Sequence, residues 1–156
     1  MLSLTVEDTI MKTAKSTYRA DFLFSHGIPG ISDGPTAFDV TVTCPLNATS
    51  VSRASREDLS AAHVAENHKN REQKADLLAL GYGFIPLPFE TTGGHTGQVA
   101  TLVHYLAQQK AVMTGIPFAE NVTRLWELLS VTLQRANAFA IKRRYVQLLP
   151  TSDESP

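Results

Sequence analysis

Three carboxylates fall at comparable places in this chain: Asp21 inside a strand-like run, Asp39 at the mouth of a second, and Glu90 at the end of a third. The second run reads Ala37-Phe38-Asp39-Val40-Thr41-Val42-Thr43, and the β-branched residues after the acid favour pleated backbone. A strand interior rarely keeps a carboxylate unless something pairs with it or uses it. If the strands are neighbours in one sheet, the three acids converge at one end of it. Clustered carboxylates raise one another's pKa unless a cation holds them ionised. A hard divalent ion such as Mg²⁺ takes carboxylate oxygens plus waters, and it can activate water or stabilise the leaving oxygen of a phosphodiester. Such a site needs a side-chain cation near the water or the phosphate. Lys69 and Lys74, on the segment between the second and third runs, are the candidates. They are five residues apart. At helical period that is about 500° of rotation, so only one can face the acids.

The elements that must hold these residues follow from period and punctuation. Tyr18 to Phe24 reads as the first strand and residues 37 to 44 as the second, ended by Pro45. Between them SHGIPGISDGPT is dense in turn formers and predicts an enlarged hairpin connection. From Glu57 to Leu80 the pattern is helical, with Ala61, Val64, His68, Ala75 and Leu78 near one stripe and Gly81 as its cap. Tyr82 to Glu90 is the third strand, Ile85, Leu87 and Phe89 facing one way and Pro86, Pro88 and Glu90 the other. Two prolines demand that part of this strand lie at an edge. Val99, Leu102, Val103 and Leu106 then mark a helix closed by Gly115-Ile116-Pro117. A last helix from Ala119 to Arg144 is expected to bury Val122, Leu125, Trp126, Leu129, Leu133, Ala136 and Ala140. Ahead of the first strand, Ser3 or Thr5 is read as opening a short helix. The order predicts an α/β fold with a small mixed sheet flanked by helices. It divides into a flank (1–17), one domain (18–146) and a polar tail (147–156).

Composition narrows the function classes. The 156 residues are 43% hydrophobic and 19% charged, which suits one domain with a real core and carries no disorder signature. No apolar stretch approaches the ~20 residues of a membrane span. Glu7 and Asp8 stand where a signal peptide needs an apolar block, so secretion is not expected. A single cysteine, Cys44, excludes an internal disulfide and a cysteine-based zinc site, and points to a reducing, intracellular setting. With a net charge of −1, a nucleic-acid partner must be held by a local basic patch. Arg135 with Lys142, Arg143 and Arg144 on the last helix is the candidate, although a helix dipole favours cations at the same end.

Arg19-Ala20-Asp21, a spacer of 17 residues and then Asp39-Val40-Thr41-Val42 resemble the PD-(D/E)XK nuclease core in its restriction-like form. More narrowly, the chain resembles the C-terminal endonuclease domain of site-specific non-LTR retrotransposons and related reverse transcriptase proteins. There an (R/K)-P-D motif precedes a D-V-T-V strand, a lysine-bearing helix and a strand resembling F-V-P-x-x-x-E-T-x-G. Phe84 to Gly93, FIPLPFETTG, stands at that place, and Leu129 to Ala138, LSVTLQRANA, is similar to the closing Q-R-x-N-A segment. The resemblance implies a restriction-endonuclease-like core, Asp21, Asp39 and Glu90 as Mg²⁺ ligands, and DNA as the partner. It further implies a place in a longer reverse transcriptase polyprotein, with a nuclear site of action. Thr41 occupies the position of the motif lysine and Ala20 that of the motif proline. In relatives of this kind the lysine has moved to the following helix, which makes Lys69 the first choice and Lys74 the second. Glu66 is a further acid on that helix that would assist.

Two functions therefore compete: a Mg²⁺-dependent endonuclease, or the same fold kept as an inactive module that binds nucleic acid or is purely structural. The first requires a lysine beside the paired acids. The second predicts that none reaches them.

Overall fold

The computed structural model describes residues 4–5, 9–12 and 17–148. Its elements are β1 (Leu4–Thr5), β2 (Thr9–Lys12), β3 (Thr17–Ala20), β4 (Phe22–Phe24), β5 (Thr36–Thr43), α1 (Val51–Ala54), α2 (Ser60–Ala79), β6 (Gly83–Glu90), α3 (Gly97–Thr114) and α4 (Phe118–Leu148). One sheet has the strand order β1-β4-β5-β6, and β2 with β3 forms a separate ribbon. β4 pairs antiparallel with β5, with Phe22 opposite Phe38, and β5 pairs parallel with β6, with Asp39 opposite Pro86. The parallel pair needs a crossover, and α2 supplies it. The fold is thus α/β with a small mixed sheet.

Strand alternation sends the side chains of β5 into two different layers. Phe38 is fully buried on one face, stacked on Phe22 at 5.0 Å between ring centroids and edge-on to Phe24 at 5.5 Å. Leu87 of β6 and Val99, Leu102 and Val103 of α3 complete that cluster, with Leu125, Trp126 and Leu129 of α4 packed against it. Ala37, one residue earlier, turns to the opposite face and meets Ala20, Phe84 and Leu77 of α2. The sheet is therefore covered by α2 on one side and by α3 and α4 on the other.

β6 forms the sheet edge, which accommodates its two prolines as expected. The N–H of Gly83 donates to Pro35 O and that of Thr91 to Thr43 O, so odd-numbered residues aim their donors at β5. Pro86 and Pro88 have the outward parity and forfeit no ladder bond. Gly81 follows α2 with φ +84, a left-handed conformation that a Cβ disfavours.

Four expectations need correction. Residues 4–5 and 9–12 are strands rather than a short helix: Thr9 to Lys12 pair residue for residue with Ala20 to Thr17. The segment set apart as a flank therefore contributes to both sheets. The strand expected from Tyr18 to Phe24 is broken at Asp21, and its halves join different sheets. On α2 the buried residues are Ser60, Ala61, Ala62 and Leu77, whereas Val64 and Leu78 are exposed. The true stripe is short because it has to approach polar groups of the sheet as well as its core. On α4, Leu133 is half-buried and Ala136 and Ala140 are exposed, since the sheet and α3 cover only the first half of a helix 31 residues long. The polar tail lies outside the described residues from 149 onward. Among the described residues, no helix is long and apolar enough to cross a membrane.

Truncating Phe38 to Ala should cost about 3–5 kcal/mol of unfolding free energy in urea titrations, the usual loss for a buried aromatic. Val42→Ala, on the same strand face but 49% exposed, should stay within about 0.5 kcal/mol.

Candidate active site

The bend at Asp21 has a specific cause. Its backbone N–H donates to Phe38 O at 3.0 Å, while its own carboxylate Oδ2 accepts the Val40 N–H at 2.6 Å. A side chain thus does the work of a strand carbonyl, and the chain turns from β4 into the β3 ribbon. The β4–β5 pairing ends at Phe22 and Phe38, and Asp21 is tied to β5 on either side of Asp39, through Phe38 O and the Val40 N–H. Asp21 is exposed, and Asp39, on the α2 side of β5, is 8% exposed.

Asp39 is held by two donors on one oxygen. Lys69 Nζ lies 3.0 Å from Oδ2, and Thr41 Oγ1 donates to the same Oδ2 at 3.1 Å. Thr41 shares the face of Asp39 because it is two residues along the strand. Lys69, whose side chain is 25% exposed, gives up part of its hydration, and the ion pair with Asp39 offsets that loss. Among the described residues, no hydrogen bond or ion pair engages Oδ1 of either Asp21 or Asp39. Each acid therefore commits one oxygen, Oδ2, to described groups of the protein.

The other sequence candidates lie elsewhere. Lys74 lines a cavity of about 280 Å³ along the β6 edge with Glu66, Asn70 and Gln98. Glu66 Oε2 is 3.4 Å from His63 Nδ1 rather than beside Asp39. Lys69 and Lys74 do point apart, and Lys69 is the one that meets the acid. His95 is used in packing: its ring stacks on Trp126 at 4.5 Å. His68 pairs with Glu72 on the surface of α2 at 3.3 Å.

Glu90 does not converge with the two aspartates. The parallel register sets it opposite Thr43, four residues beyond Asp39. That is roughly 13 Å at ~3.3 Å per residue. It is buried to 6% exposure, and its Oε1 accepts the Ala62 N–H at 3.2 Å, in the first turn of α2. Its carboxylate satisfies one of the orphan donors of that helix and complements the positive end of the dipole. Gly94 makes room for it, since a Cβ there would lie 3.1 Å from Glu90 Oε2 and 2.6 Å from Leu59. The resemblance implies a metal ligand at this position, whereas the described contact of the acid is with a helix N-terminus. The helix it caps is the preceding one. Among the described residues, no group of three or more His, Cys, Asp or Glu could hold a metal ion together.

The basic residues divide into engaged and free. Arg53 Nε donates to Glu57 at 2.7 Å, and this hydrogen bond holds the guanidinium pKa above its ordinary value and the Glu57 carboxyl below its own. Arg135, Lys142, Arg143 and Arg144 are exposed on the outer half of α4. No basic residue lies in that helix's last turn, so the dipole accounts for little of their placement.

Two residues escaped sequence reasoning. Thr41 was noted as a replacement for lysine rather than as a donor, although period two puts it on the face of Asp39. Asn137 Nδ2 donates to Thr91 O at 2.8 Å and ties α4 to the turn after β6, a contact between residues 46 apart that no local pattern reveals. No family model, curated protein or solved structure matches this chain.

Replacing Glu90 by Ala leaves the Ala62 N–H without its acceptor and should cost about 1–3 kcal/mol. Glu90→Gln, which keeps an acceptor, should cost less. The check is urea denaturation with and without Mg²⁺. A metal ligand at Glu90 would make the loss depend on Mg²⁺, whereas a helix partner gives the same loss in both.

Proposed function

We propose that this chain is a Mg²⁺-dependent DNA endonuclease on a restriction-endonuclease-like core. The observation that carries the reading is the Lys69 ammonium at 3.0 Å from Asp39, with Asp21 hydrogen-bonded to the residues on either side of that acid. The inactive-module reading predicted that no lysine would reach the paired acids. The strand order around them supports the same core: an antiparallel pair, then a helix crossover to a parallel strand.

The donor set fits a hard divalent ion. Two carboxylates, one at the bend between β3 and β4 and one on β5, each keep one oxygen outside the hydrogen bonds and ion pair described above, and Mg²⁺ is commonly held by one or two carboxylates with waters completing its shell. Asp21 and Asp39 would hold it, and bound there it supplies Lewis-acid activation of water and charge stabilisation at the phosphodiester. Glu90 is left out of the ligand set and acts through α2.

The chain's own groups have distinct tasks. Lys69 holds the Asp39 carboxylate in place through Oδ2, and its remaining N–H donors are available to an attacking water or a non-bridging phosphate oxygen. Thr41 fixes the same carboxylate from the strand side. Hydrolysis adds the water oxygen to phosphorus and breaks the bond to the 3′ oxygen, which leaves with a proton as a 3′ hydroxyl opposite a 5′ phosphate. In the retroelement setting that the motif order suggests, one strand is nicked and that hydroxyl primes reverse transcription. The chain would then be one piece of a longer polyprotein.

The test is relaxation of supercoiled plasmid in Mg²⁺. Wild type should nick, and EDTA should abolish nicking. Asp39→Ala and Lys69→Ala should each fall by roughly 10²–10³, the usual loss of a preorganised electrostatic group. Lys74→Ala should retain activity. Equal nicking by wild type and Asp39→Ala would overturn the assignment and leave the fold as a binding module.

A further inference from the structure

The second half of α4 carries an unusual surface. No carboxylate occurs between Glu127 and the end of the helix at Leu148, while Arg135, Lys142, Arg143 and Arg144 all lie in that interval. The chain as a whole has a net charge of −1, so this is a local concentration of positive charge. Within it, Phe139 is 68% exposed. Helical spacing puts Arg135 one turn before Phe139, and Lys142 and Arg143 three and four residues after it. Residues at those separations are surface neighbours. An aromatic ring is therefore bracketed along one face by three cations, over a length of about 12 Å.

We propose that this face of α4 is a stacking platform for a single-stranded nucleic acid. Among the described residues, no ion pair engages Arg135, Lys142, Arg143 or Arg144. Cations alone would serve duplex phosphates equally well. The ring decides between the two forms: a paired, stacked base has no free face to offer Phe139, whereas an unstacked base does. Stacking of that kind tolerates any base, and the neighbouring guanidinium and ammonium groups neutralise the phosphates on either side. Asn137 anchors the platform, since its bond to Thr91 O holds the helix against the sheet two residues before the ring. This deepens the endonuclease reading and rests on it for the choice of a nucleic acid. It adds that the bound form includes a single strand, as would arise beside a nick or an opened duplex.

Fluorescence anisotropy of the full chain with labelled oligothymidylate, oligouridylate and a duplex, all in EDTA, separates the possibilities. Phe139→Ala should weaken single-strand binding by about tenfold or more and leave duplex binding nearly unchanged. Phe139→Trp should restore it, with quenching of the added indole on binding. Lys142→Ala should reduce the salt slope for single strands by roughly 0.7. The deoxy and ribo arms distinguish the source of the strand. Unchanged single-strand affinity in Phe139→Ala overturns the platform. So does sedimentation in which Phe139→Ala abolishes a dimer without affecting oligonucleotide affinity, since the face would then belong to a second copy. Because binding is read without metal, a failed plasmid-nicking assay leaves these outcomes interpretable, and the reverse also holds.

Discussion

β5 is hydrogen-bonded on both flanks, and its register with β4 and β6 decides where everything else in the molecule can go. Phe38 must enter the layer beneath α3 and α4, and Asp39, one residue later, must enter the layer beneath α2. A slip of one residue would put the carboxylate into the aromatic cluster and the phenyl ring against Lys69. Both errors are costly: an unpaired charge in an apolar core, and a large ring in a site built around charge. The same residue pair thus fixes the core and the candidate site together. The hydrophobic core specifies the register, and the register delivers the acid.

The ion pair depends in turn on how α2 sits. Its sheet-facing surface has little apolar area, with Ala61, Ala62 and Leu77 as its buried hydrophobic residues. Small side chains let the helix backbone come close, which is what allows the Glu90 carboxylate to reach the Ala62 N–H and Lys69 to reach Asp39. One end of the helix is held by a buried carboxylate and the other by Leu77 in the Ala20, Ala37 and Phe84 cluster. Lys69 lies between these anchors. The two polar contacts fix the helix by direction as well as by area, because hydrogen bonds and ion pairs have narrow geometry.

Much of this was legible in the chain. Period-two alternation, the prolines of β6 and the 3,1,3 spacing of Val99, Leu102, Val103 and Leu106 each followed from local rules, and the structure keeps them. The bend at Asp21 was not legible, because its cause is a hydrogen bond to Val40, 19 residues away. The phase of α2 was misread for a related reason: its buried face is selected by Glu90 and Asp39, polar partners that a search for apolar stripes ignores. Glu90 looked like a third ligand because it ends a strand as Asp39 begins one. Only the parallel register reveals that it stands opposite Thr43, well away from the pair. The uncovered half of α4 is a matter of length, since its apolar pattern continues past the last element able to cover it.

Thr41 takes on a different meaning in this geometry. A lysine at that position would rise from the strand itself, and its ammonium would be as well ordered as β5. Lys69 instead comes from across the layer, so its position inherits every displacement of α2 relative to the sheet. Residues that lie outside the ion pair, such as Glu90, Gly94 and Leu77, then govern the distance between ammonium and carboxylate. Under the proposed endonuclease reading, where small misplacements are costly, the helix anchors would bear on rate as well as on stability. Thr41 offsets part of that sensitivity by fixing the carboxylate rotamer from the rigid side, so that only one partner of the pair is free to move.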